Sequence, residues 1–347
     1  MFNAKWIADF MTIKVTHFSR KPNPSAFSIE RVFEDVRAAL PREIVVEERV
    51  NEHLSKGVVA RLKDAWAARV HSSAVNHITG DVHYITTFLP KKNNILTIHD
   101  TIMIERERGI KRFVLWIFWL WLPASRVSWI TTISNESKER LLRFVSFAPE
   151  RLVVIPNPVS PDFAPSPLPE RAGPFRLLHI GTKPNKNLER LIPALAAQDV
   201  ELTVIGSMTE AQKVLLSQYS VKHRALEGLD AEALRDEYAR AEAVVFVSLD
   251  EGFGLPIIEA QASARPVISS DRAPMTEVAG SGALLVDPKN REQIGAAVAK
   301  LASDSSLRHE LVAKGLENVE RFSPHTIAKA YADLYRKVHG ANSRNKQ

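Results

Sequence analysis

Two kinds of apolar pattern alternate along this chain. One is a short, nearly continuous apolar run bounded by turn-forming residues: Ile13–Phe18, Ile44–Val50, Ile95–Ile98 and Trp129–Ile133 in the first half, then Phe175–Ile180, Leu202–Gly206, Val244–Val247, Pro266–Ser270 and Ala283–Pro288 in the second. The other is a longer stretch with apolar residues three and four apart, as at Ile29, Val32, Phe33, Val36 and Leu40, or at Leu188, Leu191, Ile192 and Leu195. The first pattern predicts strands buried on both faces, the second helices with one apolar face. Further helices are expected over Val58–Val70, from Ala231, and over Arg291–Ala302, Ser305–Arg321 and Thr326–Val338, and a strand is expected to begin in His77–Tyr84 after a turn. Strands alternating with helices predict an α/β protein on parallel sheets, whose ligands sit at the carboxyl ends of the strands.

The alternation breaks once. From Pro156 to Pro174 proline recurs too often for a helix or an interior strand, and the stretch reads as a domain boundary. At about 150 residues per domain the 347-residue chain fits two. The predicted division is an N-terminal domain over 1–160, a linker over 161–174, a second domain over 175–325, and a last helix and tail over 326–347.

Composition narrows the function. With 45% hydrophobic and 25% charged residues the chain is ordinary for a globular protein. It has no cysteine, which excludes disulfides, thiolate zinc sites and a cysteine nucleophile and fits a reducing cytoplasm. Met1–Phe10 carries Asp9 and no continuous apolar core, so it does not read as a secretory signal, and Met11 is an alternative start. A net charge of +6 and a pI of about 9.4 attract polyanions in general. No zinc-finger or RNA-binding signature accompanies the charge, so nucleic acid is not expected as a partner. His71, His77 and His83 lie at spacings that no helical zinc motif uses, and no metal site is expected. Phe113–Leu122 contains Trp116, Trp119 and Trp121, follows Arg106, Arg108, Lys111 and Arg112, and is about half the length of a bilayer span. It reads either as a buried helix or as an aromatic, basic-flanked helix at a membrane interface, with partial exposure favoured because tryptophans this dense are hard to bury together.

Chemistry concentrates at strand ends. Asp250-Glu251-Gly252-Phe253-Gly254-Leu255-Pro256-Ile257-Ile258-Glu259-Ala260 follows one apolar run and opens a helix, with Pro256 suited to its first position. The two glycines let backbone amides approach a ligand at a helix start, which suits an anion or a sugar hydroxyl. Glu251 in the turn and Glu259 about one turn into the helix could hold hydroxyls at either end of an elongated ligand; a capped helix with incidental acids explains the same spacing. Gly181-Thr182-Lys183-Pro184-Asn185-Lys186-Asn187 combines a glycine turn, a helix start and two lysines, the parts of a phosphate site, against a plainer reading as solvated surface. His99 ends another strand beside Asp100, and Ser134 suits a helix N-cap.

Glu251, Gly252, Phe253, Gly254, Leu255, Pro256 and Glu259 together resemble the paired-glutamate motif of family 4 of the retaining glycosyltransferases, enzymes of the GT-B fold. Gly181 and Lys186-Asn187 are similar to that family's diphosphate-binding turn, His99-Asp100 to the His-Asp of its N-terminal domain, and Ser134 to a serine facing its cleft. The resemblance spans about Ile13 to Pro288 and is most specific in the second half. It implies two Rossmann-like parallel-sheet domains facing a cleft, with the C-terminal helix crossing back to the first. It also implies transfer of a sugar from a nucleoside diphosphate sugar to a glycan or polyprenyl-linked acceptor, in surface polysaccharide or lipopolysaccharide assembly. The anomeric configuration would be retained, with the departing phosphate taking the acceptor's proton.

Under that resemblance the donor is bound by Gly181, Lys183, Lys186, Gly252, Phe253, Gly254, Leu255 and Glu259, and the catalytic set is Glu251, His99 and Lys186. Glu251 would orient the sugar hydroxyls, Glu259 the ribose hydroxyls, and His99 the pocket wall. The departing charge would meet lysines and helix-start amides, because no Asp-x-Asp pair for a metal occurs; neither metal nor cofactor is expected. The chain departs from the family pattern in three places. Its first loop holds Arg20, Lys21, Pro22 and Pro24 where relatives often have glycines. Asn185 stands where many have arginine, with Lys183 as substitute. Arg265 replaces a usual glycine, which at a left-handed angle costs on the order of 1 kcal/mol. A cytoplasmic location, peripheral on the inner membrane face where the Phe113–Leu122 segment would touch the membrane surface, goes with this reading. The alternatives are a nucleotide-sugar epimerase of the same fold and a protein that binds the nucleotide sugar without turnover.

Overall fold

The computed structural model describes residues 12–21, 28–53, 57–170 and 172–344; Pro22, Pro24 and the N-terminal stretch through Met11 lie outside them. The chain forms two units, one made of the residues up to Pro158 together with those from Pro324 onward, the other of Val159–Ser323. In the first unit β1 (Ile13–Ser19), α1 (Ser28–Ala39), β2 (Ile44–Val50), α2 (Val58–Ala68), β3 (Val75–Ile78) and β4 (Asn94–Ile98) are followed by α3 (Ile102–Arg106), α4 (Gly109–Leu115) and α5 (Leu122–Ser125). Then come β5 (Trp129–Thr132), α6 (Asn135–Leu142) and β6 (Leu152–Val154). The second unit holds β7 (Phe175–Ile180), α7 (Leu188–Ala194), β8 (Val200–Ile205), α8 (Glu210–Gln218), β9 (Lys222–Leu226), α9 (Ala231–Arg240), β10 (Ala243–Phe246) and α10 (Leu255–Ala262). It ends with β11 (Val267–Ser270), α11 (Met275–Ala279), β12 (Ala283–Val286), α12 (Arg291–Ser303) and α13 (Ser305–Val319), after which α14 (Pro324–Arg344) joins the first unit.

Each unit carries a six-stranded parallel sheet, in the order β2-β1-β3-β4-β5-β6 and β12-β11-β10-β7-β8-β9. In the second sheet the chain winds outward from β7 through β8 to β9, then returns to the middle at β10 and winds the other way. The loops after β7 and β10 therefore diverge to opposite faces and leave a crevice at the carboxyl ends of these two strands, where doubly wound sheets bind ligands. Leu177, Ile192, Val245 and Val298 are among the buried side chains that pack this sheet against its helices.

Central strands and long helices fall where the apolar pattern puts them; two expectations need correction and two edge strands escape the pattern. The strand expected to begin in His77–Tyr84 runs over Val75–Ile78 and ends before Gly80, while His83–Thr87 is a 3₁₀ turn. The edge strands β6 and β9 were not foreseen. Leu255, not Pro256, is the first residue of α10, and Gly254 caps it at φ 114°.

α14 closes the first unit through buried polar contacts. Tyr335 Oη lies 2.8 Å from His17 Nε2 and 2.8 Å from His77 Nδ1, and His77 Nε2 lies 2.7 Å from Thr97 Oγ1. His17 Nδ1 is buried without a partner, and an orphan lone pair is tolerated better than an orphan N–H. The proton of His17 thus sits on Nε2 and donates to Tyr335. Tyr335 in turn donates to His77 Nδ1, and His77 Nε2–H donates to Thr97.

Candidate functional site

The crevice of the second sheet is built by two turns. After β7, Gly181 takes φ 93°, and a Cβ there would lie 2.9 Å from Lys186 Cγ, so glycine is needed both for the angle and for the lysine to fold back over the turn. Pro184–Lys186 forms one 3₁₀ turn, and Asn187 enters α7 at φ 67°, an angle that asparagine tolerates better than most residues. Its Nδ2 donates to the Val247 and Pro288 carbonyls at 3.0 and 2.6 Å, which fixes the turn to the end of β10. After β10, the Glu251–Gly254 turn leads into α10, where Pro256 has no N–H and the Ile257 amide bonds back to the Gly254 carbonyl at 3.0 Å.

The two turns meet at Lys186 and Glu251. Lys186 Nζ lies 2.6 Å from Glu251 Oε1, with the two side chains 19% and 14% exposed, and 4.8 Å from the centre of the Phe246 ring. Asn185 completes the junction: its Nδ2 donates to Glu251 Oε1 at 3.2 Å and to the Asp250 carbonyl at 3.0 Å, and its own carbonyl accepts from the Leu249 amide at 2.7 Å. Where arginine is usual, this asparagine orients the acid of the opposite turn. Lys183 is exposed at the start of the 3₁₀ turn and is not brought to Glu251.

Glu259 lies farther along α10. Its Oε2 accepts a 2.5 Å hydrogen bond from the hydroxyl of Tyr238, which is fully buried and stacked edge-on against Phe163. Burial first, then the Glu259 carboxylate, push the Tyr238 hydroxyl well above its ordinary range, so it remains a donor to Glu259. Phe253 turns its ring into the interior against Phe322, 5.7 Å between centroids, so only its main chain faces the turn. Under the turns, His179 donates from Nδ1 to the Val245 carbonyl at 3.0 Å; burial holds it near 4, and the Lys186 charge works in the same direction.

Arg265 proves to be a structural residue. The left-handed angle falls one position earlier, on Ala264 at φ 57°, while the Arg265 amide bonds back to the Ala260 carbonyl and the Ala264 amide to Gln261. The buried Arg265 guanidinium donates to the carbonyls of Tyr238, Ala239, Ser166 and Pro167 and to Ser166 Oγ. It thereby clamps the proline-rich segment to α9 and α10. Burial lowers it to about 10, still charged at neutral pH.

In the first unit, His99 ends β4 as expected. Its Nε2–H donates to the Thr79 carbonyl at 3.0 Å, its ring lies edge-on to Phe33, and its own carbonyl accepts from Ser137 Oγ at 3.0 Å. Ser134 caps α6 by accepting from the Ser137 amide. Arg20 is held by Glu30 and Asp81. Among the described residues no three His, Asp or Glu side chains gather as metal ligands. Tyr238 was not singled out from the sequence, and Asn185 only as a departure from the family's arginine, without its contact to Glu251. Asn187 carried a signal, an asparagine between a lysine and a helix start.

Comparison with known proteins agrees with this architecture. The family model of glycosyl transferases group 1 matches residues 165–317, and that of glycosyltransferase family 4 matches residues 49–163. O-antigen chain mannosyltransferase B of Escherichia coli is 31% identical over 290 residues, 75% of this chain and 74% of that protein. O-antigen chain mannosyltransferase RfbU of Salmonella typhimurium is 28% identical over 216 residues, 60% of each chain. HepE of Anabaena, solved in complex with UDP and glucose, superposes with a TM-score of 0.75 over 94% of this chain and 100% of its own, at 16% identity. Matched along both units by these two families and over three quarters of its length by a relative, the chain belongs to family 4 of the glycosyltransferases and is a hexosyltransferase of the GT-B fold.

Proposed function

We propose that this chain moves a hexose from a nucleoside diphosphate sugar to a glycan or lipid-linked acceptor, with retention of configuration and without a metal ion. The observation that carries the reading is the meeting of Lys186 and Glu251 at the strand-order reversal of the second sheet. The diphosphate lies between the Gly181 turn and the start of α10, where Lys186 pairs with phosphate oxygens and Glu251 takes hydroxyls of the sugar. As the bond from the anomeric carbon to the phosphate oxygen breaks, charge grows on the departing diphosphate, and Lys186 with the helix-start amides stabilises it most in the transition state. The acceptor oxygen bonds to the same face of the anomeric carbon, and its proton passes to the phosphate oxygen. Glu259, oriented by Tyr238, holds the ribose hydroxyls, and Lys183 adds a mobile cation.

The O-antigen mannosyltransferases that the chain resembles support surface polysaccharide assembly as the setting and mannose as the first sugar to try. A lipid-linked acceptor goes with a peripheral position on the inner membrane face. The test incubates the chain with UDP-, GDP- and ADP-sugars and follows release of the nucleoside diphosphate. Release that requires an added acceptor, keeps the anomeric configuration and is unchanged by EDTA is the expected result. An isomerised donor without acceptor would point to an epimerase, and a rate lost in EDTA and restored by magnesium would remove the metal-independent step.

A further inference from the structure

We propose that the first unit carries a second sugar site at the amino ends of its strands, two adjoining pockets that take successive residues of a glycan bearing carboxylate or phosphate groups. This rests on the reading above in one respect, that the chain handles a glycan, while the binding itself needs no donor. One pocket, of about 360 Å³, is walled by Arg112, Phe113, Trp116, Arg143 and Phe144. The other, of about 330 Å³, has Lys91, Trp121, Phe147 and Arg151 in its walls. Both volumes suit a small ligand. Lys91 precedes β4 and Arg151 precedes β6, whereas His99 follows β4, so the pockets lie at the other end of the sheet from His99. The five residues of β4 put about 16 Å between the two ends.

A widened turn of helix joins the pockets. In an α-helix, residues five apart point about 140° from one another, which would send Trp116 and Trp121 to different sides. Here the chain takes a π-turn over Trp116–Trp121, in which the Leu122 amide reaches back to the Ile117 carbonyl. The extra residue swings Trp121 round toward Trp116, and their ring centres stand 6.2 Å apart, one ring in the wall of each pocket. Trp116 is held in place: its Nε1–H donates to the Phe144 carbonyl at 2.8 Å, and the Phe113 ring lies 5.7 Å from its own. With its one polar atom engaged, it offers a ligand only ring surface. Arg143 and Phe144 border the first pocket and the next four residues the second, so the two adjoin along one stretch of chain.

Charge and shape together select the occupant. No acidic residue lines either pocket, and among the described residues none of Lys91, Arg112, Arg143 and Arg151 is ion-paired. Arg112 lies 5.5 Å from the centre of the Phe144 ring, which holds a guanidinium at the border of the apolar surface. An occupant must therefore bring anions and small apolar faces in alternation. An acidic glycan does so: the C–H face of each pyranose lies against a ring while its carboxylate or phosphate meets a guanidinium fork. An acyl chain fits less well, because Ser125, Ser146 and the four cations interrupt the apolar surface. An acidic peptide brings the charge without the rigid apolar faces.

The test titrates the whole chain, without nucleotide sugar, with a hexamer of galacturonic acid and follows tryptophan fluorescence. Binding of the hexamer that weakens with added salt, and no binding of neutral maltohexaose at the same concentration, are the expected results. Arg112→Ser combined with Arg143→Ser should weaken binding about tenfold, and Trp121→Leu about fivefold. Arg291→Ser combined with Lys300→Ser, the same loss of charge from α12 of the other unit, should leave it unchanged. Both pocket arginines are exposed, so their double variant keeps the test usable should Trp121→Leu not fold, as judged by its thermal melt. No binding, equally tight binding of maltohexaose or of hexaglutamate, a loss as large in the α12 variant as in the arginine variant, or displacement of the hexamer by phosphatidylglycerol vesicles would each overturn the proposal. A chain that binds the hexamer as described and transfers no sugar would count against the transfer reading and leave this site in place.

Discussion

Lys186 and Glu251 constrain each other so closely that changing one alters the field on the other. Lys186→Ala removes the cation that faces the departing diphosphate and leaves a half-buried carboxylate in its place, so kcat/KM should fall by about 10²–10³-fold. If the pair acts as a unit, Lys186→Ala combined with Glu251→Gln should lose less than the two single losses together, which steady-state release of nucleoside diphosphate would measure. Tyr238→Phe keeps the ring and deletes only the hydroxyl that orients Glu259. Its expected effect is a donor KM raised about tenfold with kcat nearly unchanged, as for a lost hydrogen bond that serves binding alone; a fall in kcat instead would detach Tyr238 from ribose binding. Gly181, Lys186 and Glu251 were legible because each sits in a glycine-bearing turn at a strand end. Tyr238 was not, nor was the contact of Asn185 with Glu251, since in both cases the partner lies in another segment and only the tertiary fold makes the pair.

Elements were legible in proportion to how thoroughly the sheet covers them. β4 and β10 are central, buried on both faces, and read as apolar runs. β6 has three residues, and β9 reads Lys-His-Arg-Ala-Leu because an edge strand needs little apolar surface and charged residues deter pairing with other chains. The π-turn within the aromatic helix was invisible for another reason: one widened turn barely alters the average spacing of apolar residues. At the end of α10 the strained position was misplaced by one residue, because pattern puts it where a glycine is usual while the hydrogen bonds put it on Ala264. Ala264→Gly should therefore stabilise the protein, by up to about 1 kcal/mol, seen as a higher midpoint in thermal or urea unfolding. A lower midpoint would show that Ala264 packing outweighs the relieved angle.

For the molecule as a whole, the buried histidines set how stability responds to acid. Burial lowers His17, His77, His83 and His179, His77 to about 3 and His179 to about 4. Above about pH 6.5 they are neutral whether the chain is folded or not and contribute no slope. Below it the unfolded chain takes up protons that the folded chain refuses, so stability falls with acid from about pH 6.5 down toward each lowered value, by about 1.4 kcal/mol per pH unit for each histidine. The thermal midpoint should drop between pH 7 and pH 5, and His77→Asn, though less stable at pH 7, should show a shallower drop. An unchanged slope in that variant would exclude His77 as a source.

Tyr331 and Tyr335 reach the interior of the first unit from the last helix, with the whole of Val159–Ser323 lying between them and the rest of that unit in sequence. During translation, then, the half made first cannot be finished first. The nascent N-terminal portion must wait on the ribosome with Phe33 and its histidines uncovered, while the middle of the chain, contiguous in sequence, can complete itself. A premature stop just before Pro324 would accordingly injure the opening half of the protein and spare the residues next to the break.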